Sequence, residues 1–398
     1  MNEILLIGIV LFGGYLGGKL IAKIKVPAVT GYILVGLALG VSSLRFIPWE
    51  WNLKLGWLIE FALLLIAFQV GGELRISRLR KMGKSIIIIV TFETVTTYLL
   101  LLGAMLILGE SLALGLLIAS IGAATAPAVT VLVLNEYRAQ GPLSQTLLAC
   151  VGIDDAYGLA LYSVSASLAH SLFSGAHIYP LGLAGMILAE IGVSILGGII
   201  VGMILDLLLR RVKYSVEVLT MILGGITLAG GLLQNVAWGL RFSPLLGAMA
   251  AGFYLTNYSP KRREAFAPLG DFGYPFYTIY FVLAGARLKV RLLFHLGWAA
   301  VGYLLARFSG KILGAGLGGL ISHAPKPVRK YTGMGLFSQA GIAIGLCLVA
   351  AKEFPQVGDV IVAIALGTTI VTEIVGPFST KYAITKAGEV GKKVGPGA

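Results

Sequence analysis

The chain has 398 residues, 57% of them hydrophobic and only 12% charged. Soluble domains carry about 25% charged residues, so a mainly water-facing surface is excluded. The net charge of +13 would suggest nucleic acid in a soluble protein. Here lysine and arginine in loops between apolar segments instead set topology and meet anionic lipid, and no nucleic-acid partner is expected.

In chain order, the first apolar run begins at Ile4 and is followed by Lys19, Lys23 and Lys25, with no small-residue cleavage site. It reads as a retained helix. About thirteen spans follow the hydropathy: 3–22, 27–43, 53–72, 85–108, 111–134, 145–172, 179–209, 215–235, 243–257, 273–288, 294–321, 331–351 and 358–384. Segments such as Ser85–Leu108 and Leu181–Leu209 reach the roughly 20 apolar residues needed to cross a bilayer. The fold class is an all-α polytopic membrane protein. No stretch between spans is large enough to fold alone, and the tail after Lys386 reads as short and flexible. The run Gly310, Gly314, Gly318 fits close helix–helix approach. Cys150 and Cys347 lie within apolar segments as packing residues.

With the N-terminus outside, 22 basic residues fall in inward loops and 7 in outward loops. The odd span number then places the C-terminus in the cytoplasm. Two basic residues, Arg307 and Lys311, lie inside a span.

Charges at mid-bilayer are costly and mark functional or paired sites. The candidates are Glu60, Glu93, Asp154, Asp155, Glu190, Arg307, Lys311 and Glu373. Asp206, beside Arg210, reads as an interfacial pair. Asp154 and Asp155 lie in Gly152-Ile153-Asp154-Asp155-Ala156-Tyr157-Gly158. Adjacent helical side chains diverge by about 100°, so the two acids face a wet cavity or different polar neighbours. Each can hold a proton or a hard cation, which makes the pair a switch between them; a helix end displaced into a loop, with both acids solvated, is the alternative. Arg307 and Lys311, four apart, share a helix face and need an anion; Asp154 is the natural partner of Lys311, with snorkelling to the interface as the alternative. Glu60, Glu93 and Glu190 read as structural, and Glu373 as a cap or interface acid.

Thr125-Ala126-Pro127-Ala128-Val129-Thr130 falls in mid-span five. Proline interrupts the helix ladder, and freed carbonyls with Thr125 and Thr130 can line an ion site; a plain kink is the alternative. Span twelve offers a counterpart in Gly333, Gly335, Ser338, Gln339, Gly341 and Gly345. Spans four to six and eleven to thirteen enter from opposite sides and could form an inverted repeat with crossed, discontinuous helices. No Walker loop, nucleophile–base set or histidine cluster is present; His170, His177, His295 and His323 are scattered. A transporter is expected, not an enzyme, and no cofactor. A passive cation channel or sensor and an organic-anion symporter are rival readings; two adjacent acids would repel an anionic substrate.

These residues resemble the monovalent cation:proton antiporters, in particular the second family and its two-aspartate electrogenic (sodium/proton) members. The likeness rests on Val26-Pro27-Ala28-Val29-Thr30-Gly31-Tyr32, Phe68-Gln69-Val70-Gly71-Gly72-Glu73-Leu74-Arg75, Tyr280-Phe281-Val282-Leu283-Ala284-Gly285-Ala286-Arg287-Leu288, Asp154-Asp155 and Gly310-Lys311-Ile312-Leu313-Gly314. It implies that Asp155 is the essential cation and proton carboxylate, that Asp154 bridges to Lys311 when no cation is bound, and that Thr125 helps coordinate the ion. Pro127, Thr130, Ser338, Gln339, Arg307 and Glu373 are supporting candidates. It implies a scaffold of residues 1–82 and 213–291, a moving core of 83–172 and 292–386, a linker helix in 173–212 and a cytoplasmic tail of 387–398. A homodimer in the cell (inner) membrane would exchange sodium, lithium or potassium for protons by an elevator movement, with sodium favoured and potassium/proton exchange the alternative. The sequence departs from the resemblance at Gln339-Ala340-Gly341, where many relatives carry a basic and an acidic residue.

Overall fold

The structure, a computed structural model, describes residues 3–23, 28–47, 54–173, 180–212, 214–234, 243–289, 291, 297–339 and 341–391. Lys25, Val26, Pro27, His177, Lys213, Arg241, His295, Ala340, Lys392 and Lys393 lie outside the described residues. Among the described residues every regular element is helical. The helices are α1 (Glu3–Ala22), α2 (Ala28–Leu39), α3 (Gly56–Glu73), α4 (Ile76–Ile107), α5 (Leu112–Ala123), α6 (Pro127–Glu136), α7 (Pro142–Phe173), α8 (Pro180–Leu209), α9 (Ser215–Gln234) and α10 (Pro244–Tyr258). They continue with α11 (Arg262–Arg287), α12 (Gly297–Ile321), α13 (Lys326–Tyr331), a 3-10 turn (Gly333–Leu336), α14 (Ile342–Glu353) and α15 (Pro355–Lys386). Each of the thirteen expected spans coincides with one helix or, at spans five and twelve, with two pieces in line. Among the described residues, eight helices are by themselves long and apolar enough to cross a membrane.

Two boundaries move. Helix α4 begins at Ile76, nine residues before the expected start, and is broken at Gly83, whose φ of 79° is non-helical. Its first turns hold the basic stretch, where no apolar period signals a helix. Helix α11 likewise starts at Arg262 and runs through Pro268 and Pro275.

Helices α4 to α7 pack with α12 to α15, while α1 to α3 pack with α9 to α11; α8 touches α7, α9 and α10. The seam between α4 and α12 is set by the glycine stripe. A Cβ at Gly310 would lie 2.5 Å from Thr97 Cα, at Gly314 2.6 Å from Glu93 Cα, and at Gly318 2.7 Å from Ile89 Cα. The two backbones therefore run in direct contact, which brings Lys311 against Glu93. We expect Gly314→Leu to force these helices apart, at a cost of at least about 1–3 kcal/mol for overpacking. A lowered melting temperature in detergent, read by tryptophan fluorescence, checks it.

The tail is less free than the sequence suggests. Glu389 is buried, and its carboxylate accepts from the backbone N–H of Leu143 (2.8 Å) and Ser144 (2.7 Å) and from the Ser144 hydroxyl (2.7 Å). It thus satisfies orphan donors at the N-terminus of α7, the helix that carries the aspartate pair. Gly391 N–H reaches the Tyr137 carbonyl at the end of α6.

Candidate ion site

Two helix breaks meet at the centre of the α4–α7 and α12–α15 group. The chain leaves α5 after Ala123, is extended at Ala124, and re-enters helix at Pro127. Pro127 therefore opens α6, a position where its missing N–H costs nothing, and the interruption lies at Ala124-Thr125-Ala126 instead of at the proline. In the other strand of the crossover, the 3-10 turn ends at Leu336 and α14 starts at Ile342, after Gly341 at φ 46°. The two breaks touch: Ala126 N–H donates to the Ser338 carbonyl (3.0 Å) and the Thr130 hydroxyl to the Gly335 carbonyl (2.9 Å).

Asp154 and Asp155 lie on α7 beside this crossing, 0% and 8% exposed. Asp154 is fully engaged. Its Oδ1 accepts from the Thr94 hydroxyl at 2.8 Å, and its Oδ2 lies 3.1 Å from Lys311 Nζ. Lys311 also donates to the Ala123 carbonyl (2.6 Å) and to Thr125 Oγ1 (2.7 Å). The three ammonium hydrogens thus have three acceptors, and snorkelling is overturned: the side chain is 0% exposed and points into the crossover. Asp155, one position on, forms no hydrogen bond or ion pair with any described residue. The pair diverges as helix geometry requires, so one acid is held by the protein and the other is open.

Glu93 is the residue the sequence reading undervalued. Its Oε1 sits 2.5 Å from Lys311 Nζ and it is 0% exposed. The contact is an ion pair whose geometry falls outside that of a hydrogen bond. Thr94 stands 3.3 Å from Glu93 Oε2 and links both acids. The signal was present in the glycine stripe, which shows that α12 lies close to a neighbour without saying which.

Arg307 does not compete for Asp154. Its buried guanidinium donates to four carbonyls, of Gly122 (2.9 Å), Ala124 (2.9 Å), Phe337 (2.5 Å) and Ser338 (3.3 Å). These carbonyls are freed where the two helices break, and a cation there offsets the negative ends of the helix dipoles. Gln339 is fixed by the Tyr303 hydroxyl, which donates to its Oε1 at 2.8 Å, and its amide reaches the Ile121 carbonyl at 3.4 Å. The structure puts Gln339 in the framework of the crossing. Ser338 contributes its carbonyl, while its buried hydroxyl has no hydrogen-bond partner among the described residues. Glu373 is neither cap nor interface acid: it is 0% exposed on α15, with both oxygens lacking hydrogen-bond partners among the described residues.

The remaining acids lie elsewhere. Asp206 pairs with Arg210 at 2.7 Å, as expected. Glu190 accepts from Ser167, and Glu60 pairs with Lys352. Glu60 and Lys352 line a cavity of about 900 Å³ between α3, α7, α8, α9, α10, α14 and the end of α11, together with Tyr162, His170 and Glu353.

An all-helical membrane protein with two crossed helix breaks around a buried carboxylate–lysine cluster belongs to the class of inverted-repeat ion carriers. The comparisons narrow that class. Residues 7–386 match the model of the family described as sodium/hydrogen exchanger, transmembrane, and the chain belongs to that family. It is 24% identical over 325 residues to the high-affinity Na(+)/H(+) antiporter NhaS3 of Synechocystis, covering 72% of this chain and 68% of that protein. Its fold is similar to the sodium proton antiporter MjNhaP1 of Methanocaldococcus jannaschii at pH 8, with a TM-score of 0.81 and 22% identity over 98% of this chain and 99% of that one. An electron-microscopy structure of MjNhaP1 matches with a TM-score of 0.69 and 22% identity, covering 98% and 96%.

Proposed function

We propose that the protein is a secondary active transporter that exchanges sodium for protons at Asp155, with Asp154 and Thr125 completing the ion's ligands. The observation that carries this is the contrast between neighbours: Asp154 is held by Lys311 and Thr94, and Asp155 by nothing in the described chain. An uncompensated carboxylate inside a membrane protein is stable only when it takes a proton or a cation, and these two compete for the same oxygens. Membership of the sodium/hydrogen exchanger family and the likeness to a sodium/proton antiporter support the reading.

In this reading α4–α7 and α12–α15 move as a core against a scaffold of α1–α3 and α9–α11, alternately exposing the site, and α8 links the two. The protein works as a homodimer in the cell membrane with its N-terminus outside and its C-terminus in the cytoplasm. The Lys352–Glu60 pair joins the two groups of helices and has to part for the core to slide. The two-aspartate resemblance adds electrogenic exchange, which requires Lys311 to give up a proton when a cation displaces it from Asp154.

The test is proton movement in proteoliposomes with a trapped pH dye, on addition of sodium, lithium, potassium or choline. A saturable pH change with sodium and none with choline is expected. A response to potassium alone would reassign the ion, and no response to any cation from folded protein would sink the antiporter in favour of a channel or sensor.

A further inference from the structure

The second helix break has an acid of its own. Helices α7 and α15 are each 32 residues long and each follows a broken helix. Asp155 lies near the middle of the first and Glu373 near the middle of the second. Glu373 is 0% exposed, and neither of its oxygens has a hydrogen-bond partner among the described residues. The Ser338 hydroxyl, on a residue 1% exposed, has none either. The two belong to one place. Gly376 is one turn on from Glu373, on the same face of α15, and a Cβ there would lie 3.0 Å from Ser338 Cβ and closer still to its hydroxyl. Further along that face, the Thr380 hydroxyl donates to the Gly335 carbonyl at 3.4 Å.

Arg307 of α12 is the charged side chain that faces Glu373, and the Gln339 backbone N–H is turned toward it. The guanidinium bonds to four carbonyls instead. Helix α5 and the 3-10 turn carry no ionisable side chain. Of the other elements packed on α15, α6 carries Glu136 and α14 carries Lys352 and Glu353 in their last turns, and α13 its basic residues at the inner loop. Tyr280 of α11 donates to the Gly341 carbonyl, and Cys347 of α14 to the Ile361 carbonyl.

We propose that Glu373 is a second proton site of the core, at the second helix break, which releases its proton as sodium binds at Asp155 and so carries a second proton in each cycle. This rests on the proposed antiport at Asp155, and it gives to Glu373 the second proton that the two-aspartate reading takes from Lys311.

An uncompensated carboxyl inside the membrane is held as the neutral acid or with a cation. A hard cation takes several oxygen ligands. Besides the carboxylate, the described residues offer one unused hydroxyl here, next to a fixed guanidinium. A proton needs no such shell, and a serine hydroxyl can accept from the acid or donate to the carboxylate. The link to Asp155 is electrostatic. Arg307 stands within reach of Asp154 as well as of Glu373, and it holds the Ala124 carbonyl beside Thr125. A cation at Asp155 adds positive charge to the same crossing, which favours the ionised form of Glu373. One sodium ion then enters as two protons leave, one from Asp155 and one from Glu373. The cation-loaded core carries one negative charge more than the proton-loaded core. Without Glu373 the two loaded forms carry equal charge.

Protons released per sodium ion bound are counted by titration calorimetry of the protein in detergent, in buffers of different ionisation enthalpy and across a pH series. The maximum should approach two in the wild type and one in Glu373→Gln, whose amide is close in shape. Lys311→Arg separates the two sources, because a guanidinium does not deprotonate in proteins; its count should stay near two. In proteoliposomes, wild-type sodium-driven proton flux should change on the order of tenfold or more under a valinomycin–potassium potential of about 100 mV, and flux through Glu373→Gln should not follow the potential. A purely structural glutamate would lower the amount of folded protein without changing the count. A wild-type count of one, an unchanged count in Glu373→Gln, or a count of one in Lys311→Arg would overturn the inference while leaving the antiport intact. If Glu373→Gln does not purify folded, the wild-type and Lys311→Arg counts decide in the same way. Sodium binding that releases no proton at any pH would remove the antiport at Asp155, and this inference with it.

Discussion

Asp155→Asn should reduce sodium-driven proton exchange to the background of protein-free liposomes while leaving the protein folded. The two side chains have nearly the same shape, so the packing of α7 is undisturbed. Asp155 has no hydrogen bond or ion pair in the described structure, so no internal contact is lost. What disappears is the group that takes either a proton or a cation. An amide neither titrates in the working range nor neutralises a monovalent ion, so both half-reactions fail together. The melting temperature should stay at or above that of the wild type, because the amide removes an uncompensated buried charge. Asp154→Asn should behave differently: it removes the acceptor of Thr94 and one carboxylate of Lys311, and so changes stability as well as transport. Wild-type exchange in Asp155→Asn would overturn the site. Loss of exchange accompanied by loss of folded protein would make Asp155 a structural residue.

Much of the architecture could be read from the chain because the bilayer simplifies the problem. Apolar length and the alternation of basic loops located thirteen spans, each matched by a helix or a broken pair of helices. The threonines and proline of span five and the glycines of span twelve marked the two breaks, since these residue types release backbone groups that a cavity can use. Long-range partnerships were less accessible. The stripe at Gly310, Gly314 and Gly318 announces a close neighbour, but any helix could supply it. That α4 does so is what turns Glu93 from an isolated membrane acid into a partner of Lys311. Glu389 escaped for a similar reason: the N–H groups it caps lie 246 and 245 positions earlier in the chain, and a glutamate among glycines looks like solvent-exposed tail. Gln339, read as a supporting candidate for the ion site, is held by Tyr303 and a carbonyl of α5, partners far away in the sequence.

Arg307 gives the second large effect, and it acts on stability. The sequence shows only that Arg307 needs an anion and names none for it, and among the described residues no carboxylate bonds to it; four backbone carbonyls take its donors. A planar guanidinium presents five N–H groups in a fixed fork, which suits carbonyls converging from two broken helices. Hydrogen bonds to charged groups contribute about 1.5–3 kcal/mol each and are not additive. Arg307→Ala leaves those carbonyls unpaired in a buried crossing and opens a cavity as well. We expect it to cost on the order of 3–5 kcal/mol, comparable to removing one member of a buried ion pair, and to lower the melting temperature in detergent by on the order of 10 °C. Arg307→Lys should recover only part of this, because one ammonium has three donors at a single point and cannot span both helix ends. The contrast with Asp155→Asn is the informative part. One substitution should silence a stable protein, while the other should destabilise the crossing on which Thr125 and Lys311 depend. Unchanged melting and transport in Arg307→Ala would mean that the broken helices hold their own ends, with water or neighbouring N–H groups in place of the guanidinium.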